Sequence, residues 1–286
     1  MSFMRAMRMH GYGEPNVIRL DRIDRPSPGP GEVLLKVAAT TFNPSEAGLR
    51  RGLLRSIVPV DLPYTMGLDV AGTVSGTRVI GRLDGGAAAD YAVAPADVLV
   101  PVPAGVALED AAALPIAGLT AWQAVFEHAA VTAGQRVLVN GAGAIGRYAI
   151  QLARHAGAYV IAAATPRRVA AARAAGAHEV AAPAEPVDAL IHLVPAPPAH
   201  TALIKPGGVL VSATTPADQL PAGPFRAVHF IVRNDTADLA ALLGLVDAGA
   251  VHIDVAARRP LTDLAAVHRE AEAGRLAGKT LLLPTA

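Results

Sequence analysis

The run Gly141-Ala142-Gly143-Ala144-Ile145-Gly146 restricts the fold more than any other part of the chain. It stands between an apolar strand signal at 135–140 and an amphipathic helix pattern at 145–156. In that setting each glycine of a G-x-G-x-x-G has a physical task. The first allows a tight turn, the second lets a pyrophosphate approach the backbone, and the third lets helix and strand pack closely. The helix N-terminus then offers N–H groups and the positive end of its dipole to the anion. With 27 glycines the spacing alone arises by chance, so its place between strand and helix is what carries weight. Gly141, Gly143, Ala144, Ile145 and Gly146 are therefore expected to bind a dinucleotide cofactor. The competing reading is a glycine-rich turn with no ligand.

The flanking pattern extends this expectation. A strand at 159–163, a helix at about 167–175 stopped by Gly176, and strands at 188–193 and 209–213 predict a doubly wound parallel sheet. The first hundred residues differ. Short runs at 32–37, 69–74, 78–80 and 91–93, punctuated by Gly and Pro, read as β-rich, and no long helical period precedes about Glu109. Residues 108–128 suit helices. After Thr236 the pattern predicts a helix at 238–248, a strand near 251–255, a helix at 261–274 and a closing strand at 279–283. The fold class is α/β, in the order β-rich, doubly wound, mixed.

An NAD-specific site carries an acidic residue about twenty positions beyond the loop, on the ribose 2′-OH. Here that place holds Ala162-Ala163-Ala164-Thr165-Pro166-Arg167-Arg168. Thr165 as a neutral donor and Arg167 or Arg168 as a charged one suit a 2′-phosphate, so NADPH is the expected cofactor. One charge-assisted bond of about 1.5–3 kcal/mol favours it over NADH by roughly tenfold or more. The alternative is two solvated arginines opening a helix.

Composition removes other classes. A formal net charge of +1 argues against a nucleic-acid binder. Absence of cysteine excludes disulfides, iron–sulfur clusters and thiolate metal sites. The N-terminal segment has no apolar stretch of signal-peptide type, and later apolar runs are cut short of spanning length. A cytoplasmic protein with no membrane partner is expected. The 9 histidines show no ligand spacing, and no Gly-x-Ser-x-Gly elbow supports a hydrolase.

Motifs spread along the chain add a resemblance. They include 7–13 with 26–37, Asn43-Pro44-Ser45-Glu46, 62–72 with Gly67-Leu68-Asp69, and 111–122 ending in Gly118-Leu119-Thr120-Ala121-Trp122. The phosphate loop, Lys205-Pro206-Gly207-Gly208 and Gly278-Lys279 follow in order. With these the chain resembles the medium-chain dehydrogenase/reductase superfamily, in its zinc-free quinone oxidoreductase (zeta-crystallin-like) branch. The resemblance implies a GroES-like β-rich catalytic domain at 1–112 and 245–286, a Rossmann NADP-binding domain at 113–244, an active site in the cleft between them, and a homodimer formed through Rossmann edge strands. Zinc-dependent relatives place cysteine near Asn43 and Gly-His-Glu near Gly67-Leu68-Asp69, so no metal is expected. Without a Lewis acid, hydride transfer is easiest to acceptors that stabilise added electrons themselves, such as quinones and conjugated enones.

The same resemblance nominates site residues, each with a plainer alternative. Asn43 would hydrogen-bond the nicotinamide ribose or the acceptor oxygen, or else be a turn residue before Pro44. Thr120 would face the nicotinamide, in an orienting role like Asn43, or bond back to its own helix. Tyr64 would line the acceptor pocket or sit on the surface. Phe230, beside Ile231 and Val232, would flank the nicotinamide and the substrate, or belong to a core strand. Lys279 would lie near the cofactor or be a solvated charge at a strand start. Glu46 replaces the family's Asp, Gly48 and Leu54 replace aromatic residues of some members, and the stretches 74–78 and 183–200 are short. The expected activity is NADPH-dependent, zinc-independent reduction of a quinone or similar conjugated carbonyl. Alternatives are an enoyl or enone reductase of secondary metabolism, or a low-turnover NADPH-binding protein.

Overall fold

The computed structural model describes residues 2–182 and 184–284. Pro183, at the head of one shortened stretch, lies outside the described residues. The chain opens with β1 (Phe3–Met9), β2 (Ile18–Asp24), β3 (Glu32–Thr41), α1 (Pro44–Arg50) and β4 (Tyr64–Thr65). It continues through β5 (Asp69–Val74), β6 (Thr77–Arg82), β7 (Tyr91–Pro95), β8 (Leu99–Pro101), α2 (Leu108–Ala111) and α3 (Pro115–Trp122). Next come β9 (Arg136–Asn140), α4 (Ala144–His155), β10 (Tyr159–Ala163), α5 (Val169–Ala174), β11 (Glu179–Val180), β12 (Val187–His192), β13 (Ile204–Ser212) and β14 (Arg226–His229). The chain closes with α6 (Thr236–Asp247), β15 (Val255–Pro260), α7 (Leu264–Glu272) and β16 (Lys279–Leu283). No described helix is long and apolar enough to cross a membrane.

Two compact units result. The first comprises the chain up to Ile116, Asn234–Asp247 and the segment from Ile253 onward. Its larger sheet runs β15-β16-β3-β5-β6-β8, with β7 also paired to β3, and a three-stranded sheet runs β2-β1-β4. Met7, Met9, Phe42, Leu49, Met66 and Leu282 form one buried cluster of this unit, and Leu35, Val37, Val70 and Val79 another. The sheet order matters for function, because β16 brings the end of the chain beside β3, and β5 lies on the other side of β3.

The second unit comprises Ala117–Arg233 and Ala248–His252. Its sheet is parallel throughout, in the order β11-β10-β9-β12-β13-β14. Leu138, Ile161, Leu190 and Leu210 fill its core, which is why these strands read as apolar runs rather than alternations. From β9 the chain winds outward through β10 to β11, then returns to the opposite side of β9 at β12. That reversal creates a crevice outside the carboxyl ends of β9 and β12, where ligands of such sheets bind.

Several local expectations differ from the structure. Helix α1, seven residues long, escaped notice because it is too short to show a period. The expected helical stretch 108–128 is interrupted: Pro115 starts a new helix, and Gln123–His128 continues it as a wider π-type turn. The strand expected near 251–255 lies at Val255–Pro260, an edge strand whose half-exposed alternation gives no apolar run. Val251 is instead fully buried. Residues 234–244, expected with the doubly wound domain, pack with the first unit because α6 belongs there.

Candidate functional site

Two of the three glycines of the phosphate loop, Gly141 and Gly146, are required by the geometry. Gly141 has φ +111°, and a Cβ there would stand 2.7 Å from Val194 Cγ1. A Cβ on Gly146 would lie 1.7 Å from the Gly141 carbonyl oxygen, so helix α4 packs on the loop only because that side chain is absent. Gly143 differs, because a Cβ there would meet nothing nearer than Arg168 Nη1 at 3.5 Å. Space is thus left on the open side of the second glycine, where a pyrophosphate needs it. Ala144 and Ile145 form the first turn of α4, whose N-cap is Gly143.

At the end of β10, Thr165 and Arg167 are exposed, and Arg168 is half-buried. Arg168 turns toward the loop and donates from Nη1 to the Ala142 carbonyl at 3.3 Å. Burial lowers its pKa, and the charges of Arg167 and Arg147 lower it further. Arg147 is a third cation that sequence reading missed: it is buried in the first turn of α4, directly after Gly146. Its signal was available, since a cation at the positive end of a helix opposes the dipole unless an anion is shared there.

Phe230 is buried just beyond β14, with its ring centroid 4.3 Å from that of His128. Val232 is half-buried and Ile231 exposed, so these residues form no core strand. Thr120 is buried within α3.

The first unit holds a separate polar cluster. Lys279 opens β16 with 3% of its surface exposed, and its Nζ donates to Asn43 Oδ1 at 2.6 Å and Asp69 Oδ2 at 2.8 Å. The solvated-charge alternative therefore does not describe it. Asp69 also accepts from the Thr41 hydroxyl, from Asn43 Nδ2 at 2.9 Å and from the Ile116 N–H at 2.9 Å. Asn43, at the N-terminus of α1, thus has its amide oxygen and nitrogen both engaged within this unit. Glu46 accepts from the backbone N–H of Asn43 and of Gly67, each at 3.0 Å. Tyr64 is half-buried; its hydroxyl donates to the Asp84 carbonyl, and burial followed by the Glu46 charge raises its pKa.

Two buried carboxylates lie near one ammonium, which contacts Asp69 directly and acts on Glu46 only through its charge. Burial first, then the Asp69 charge, pushes Glu46 up to about 7 from 4.5. With Glu46 protonated the trio is neutral. The folded chain thus keeps a proton that the unfolded chain releases above 4.5. This contribution is fully present below that value and is lost as pH rises through about 7, on the order of 3 kcal/mol. His268 acts oppositely: burial, then the Arg50 charge, lowers it to about 3, so its contribution is lost as pH falls below 6.5. The informative quantity is therefore the difference between Glu46→Gln and the parent. Urea midpoints should diverge between pH 5 and pH 8, with the parent losing more on the alkaline side. Parallel profiles would show that Glu46 ionises normally.

Comparison with known proteins places these features. The profile of the alcohol dehydrogenase GroES-like domain matches residues 29–104, and that of zinc-binding dehydrogenase matches 167–282. A quinone oxidoreductase homologue from spinach chloroplasts is 35% identical over 198 residues, which is 62% of this chain and 60% of that protein. The solved quinone oxidoreductase of Coxiella burnetii superposes with a TM-score of 0.89 at 27% identity, over 99% of each chain.

The chain belongs to the medium-chain dehydrogenase/reductase superfamily.

Within that superfamily it falls in the quinone oxidoreductase branch, although the alignment spans about three fifths of the curated relatives' length. A mycobacterial member solved with NADPH superposes at a TM-score of 0.85, 26% identical, over 98% of this chain and 100% of that one. The zinc in one profile's description raises the question of donors. The positions that the resemblance sets near the cysteine, histidine and glutamate of zinc-dependent members hold Asn43, Leu68 and Asp69 in this chain. Leu68 offers no donor, and the Lys279 ammonium already contacts Asn43 and Asp69. These residues do not fit a zinc ion.

Proposed function

We propose that the protein is an NADPH-dependent, zinc-independent oxidoreductase that passes hydride to a quinone or a similar conjugated carbonyl. The observation that carries this reading is the phosphate loop with arginines, and no carboxylate, at the end of β10. Gly143 leaves room for the pyrophosphate, the α4 N-terminus faces it, and Arg168 with Arg147 and Arg167 supplies charge for a 2′-phosphate. Bound there, the reduced nicotinamide supplies the hydride. The residues of the chain bind, orient and exclude water. In the first unit the reading gives Asn43 an orienting role, Tyr64 a place toward the acceptor and Lys279 one toward the cofactor. In the second it gives Thr120 an orienting role, Phe230 a place toward both acceptor and nicotinamide, and Val232 one toward the nicotinamide. Lys279 would act through Asn43, whose amide it holds. The lysine ammonium at Asp69 supports zinc independence, since a metal ion there would face a fixed positive charge. A cytoplasmic homodimer is part of the same reading, and β14, an edge strand, is the expected seam.

The test mixes purified protein with NADPH or NADH and a panel of quinones, enones and aldehydes, following cofactor absorbance. Quinone-dependent NADPH oxidation is expected. Turnover of enones alone would favour an enone reductase, and binding without turnover a nucleotide-binding protein. Arg168→Ala should weaken NADPH roughly tenfold or more while leaving NADH almost unchanged. Equal losses for both cofactors would show that the arginine only braces the loop.

A further inference from the structure

A row of polar side chains crosses the carboxyl end of the parallel sheet at its reversal. In register, Asn140 of β9 lies beside His192 of β12, and His192 beside Ser212 of β13. His192 is fully buried, yet both ring nitrogens are engaged. Nε2 lies 2.7 Å from the Ala196 carbonyl, and Nδ1 lies 3.0 Å from Asn140 Nδ2. A carbonyl only accepts, so Nε2 carries the hydrogen. Nδ1 then accepts from the Asn140 amide, which is the arrangement of a neutral ring. Burial lowers the His192 pKa and supports that state at neutral pH.

Both partners belong to the phosphate-loop wall. Asn140 directly precedes Gly141, and its carbonyl accepts the Leu193 N–H at 2.9 Å. Val194 packs so closely on Gly141 that a Cβ there would come within 2.7 Å. From the far side, the Thr214 hydroxyl donates to the Val194 carbonyl at 2.8 Å, and Ser212 Oγ accepts the N–H groups of Thr214 and Thr215 at 3.2 and 2.9 Å. The segment 193–196 is thus held between two strand ends and pressed against the first glycine.

We propose that His192 is a positioning residue for the cofactor: bridging Asn140 and Ala196, it clamps the segment 193–196 against Gly141 and so sets the shape of the phosphate cradle. The inference rests on the reading of this loop as a nicotinamide-dinucleotide site. Nothing in the chain's histidine spacing pointed to His192, because its partners are 52 residues upstream and 4 residues downstream.

The test uses the full chain and NADPH itself, with dissociation constants from titration and steady-state kinetics with a quinone. His192→Leu removes both bonds and should raise the Kd and KM for NADPH at least tenfold, while kcat at saturating NADPH stays within about twofold. His192→Gln keeps a donor near Ala196, and His192→Asn keeps an acceptor near Asn140. Each should recover part of the affinity, which a purely structural residue would not require. If His192→Leu does not fold, the Gln and Asn variants alone carry the comparison. Parent-like NADPH affinity in the folded variants would overturn the clamp, as would a fall in kcat without a change in KM. The parent separates the two ideas: if it binds neither NADPH nor NADH, the cofactor reading and the clamp fall together. If it binds NADPH and the variants bind equally well, only the clamp falls.

Discussion

Replacing Lys279 by methionine should cost about 3–5 kcal/mol of stability, read as a large fall in the urea midpoint at pH 7. The methionine fills much of the same volume, so the loss comes from charge rather than from a cavity. Without the ammonium, Asp69 and Glu46 remain buried together with no counter-charge, and Asn43 loses the donor to its amide oxygen. The penalty should grow with pH, because ionising Glu46 beside Asp69 is then unopposed. Adding Asp69→Asn to Lys279→Met removes the stranded charge and should restore part of the loss. The restored part measures the coupling in a double-mutant cycle. A loss below about 1 kcal/mol would mean that solvent reaches Lys279, as at an ordinary surface pair.

Gly146→Ala should abolish tight NADPH binding, with at least a hundredfold loss, which corresponds to about 3 kcal/mol. The added Cβ would sit 1.7 Å from a backbone oxygen, so α4 must move away from the loop. Gly143→Ala provides the control that separates packing from ligand space. Its Cβ meets no protein atom nearer than 3.5 Å, so the melting temperature should stay close to the parent's. NADPH affinity should nevertheless fall, because the methyl occupies the space left for the pyrophosphate. Full NADPH affinity in Gly143→Ala would sink the phosphate-loop assignment, since no anion would then approach that backbone.

The two polar groupings were legible in the sequence to different degrees. The phosphate loop was readable because strand, glycines and helix are contiguous, and each signal is local. The role proposed for Arg168 rests on an equally local signal, its place in the turn just beyond the next strand. Arg147 was overlooked although it adjoins Gly146, because the periodic pattern of α4 absorbed it as one more polar position. Helix α1 gave only capping residues, Asn43-Pro44 with Glu46, and seven residues are too few for a period. The π-type turn at Gln123–His128 has no sequence signature that separates it from an ordinary helix.

The sequence by itself determined the strand–glycine–helix unit and the absence of thiolate ligands, since both follow from residue identity over short spans. Only the tertiary structure decided what Lys279 and His192 do. Lys279 meets Asp69 from 210 residues away and Asn43 from 236, because β16 pairs with β3 and β3 with β5. His192 meets Asn140 because β12 returns beside β9 after the sheet has wound the other way. Whether such a side chain is a solvated charge, a satisfied core group or part of a site depends on its burial and its partners. Those are set by which distant strands the fold makes neighbours, as β16 with β3 and β12 with β9, and no local pattern encodes that order.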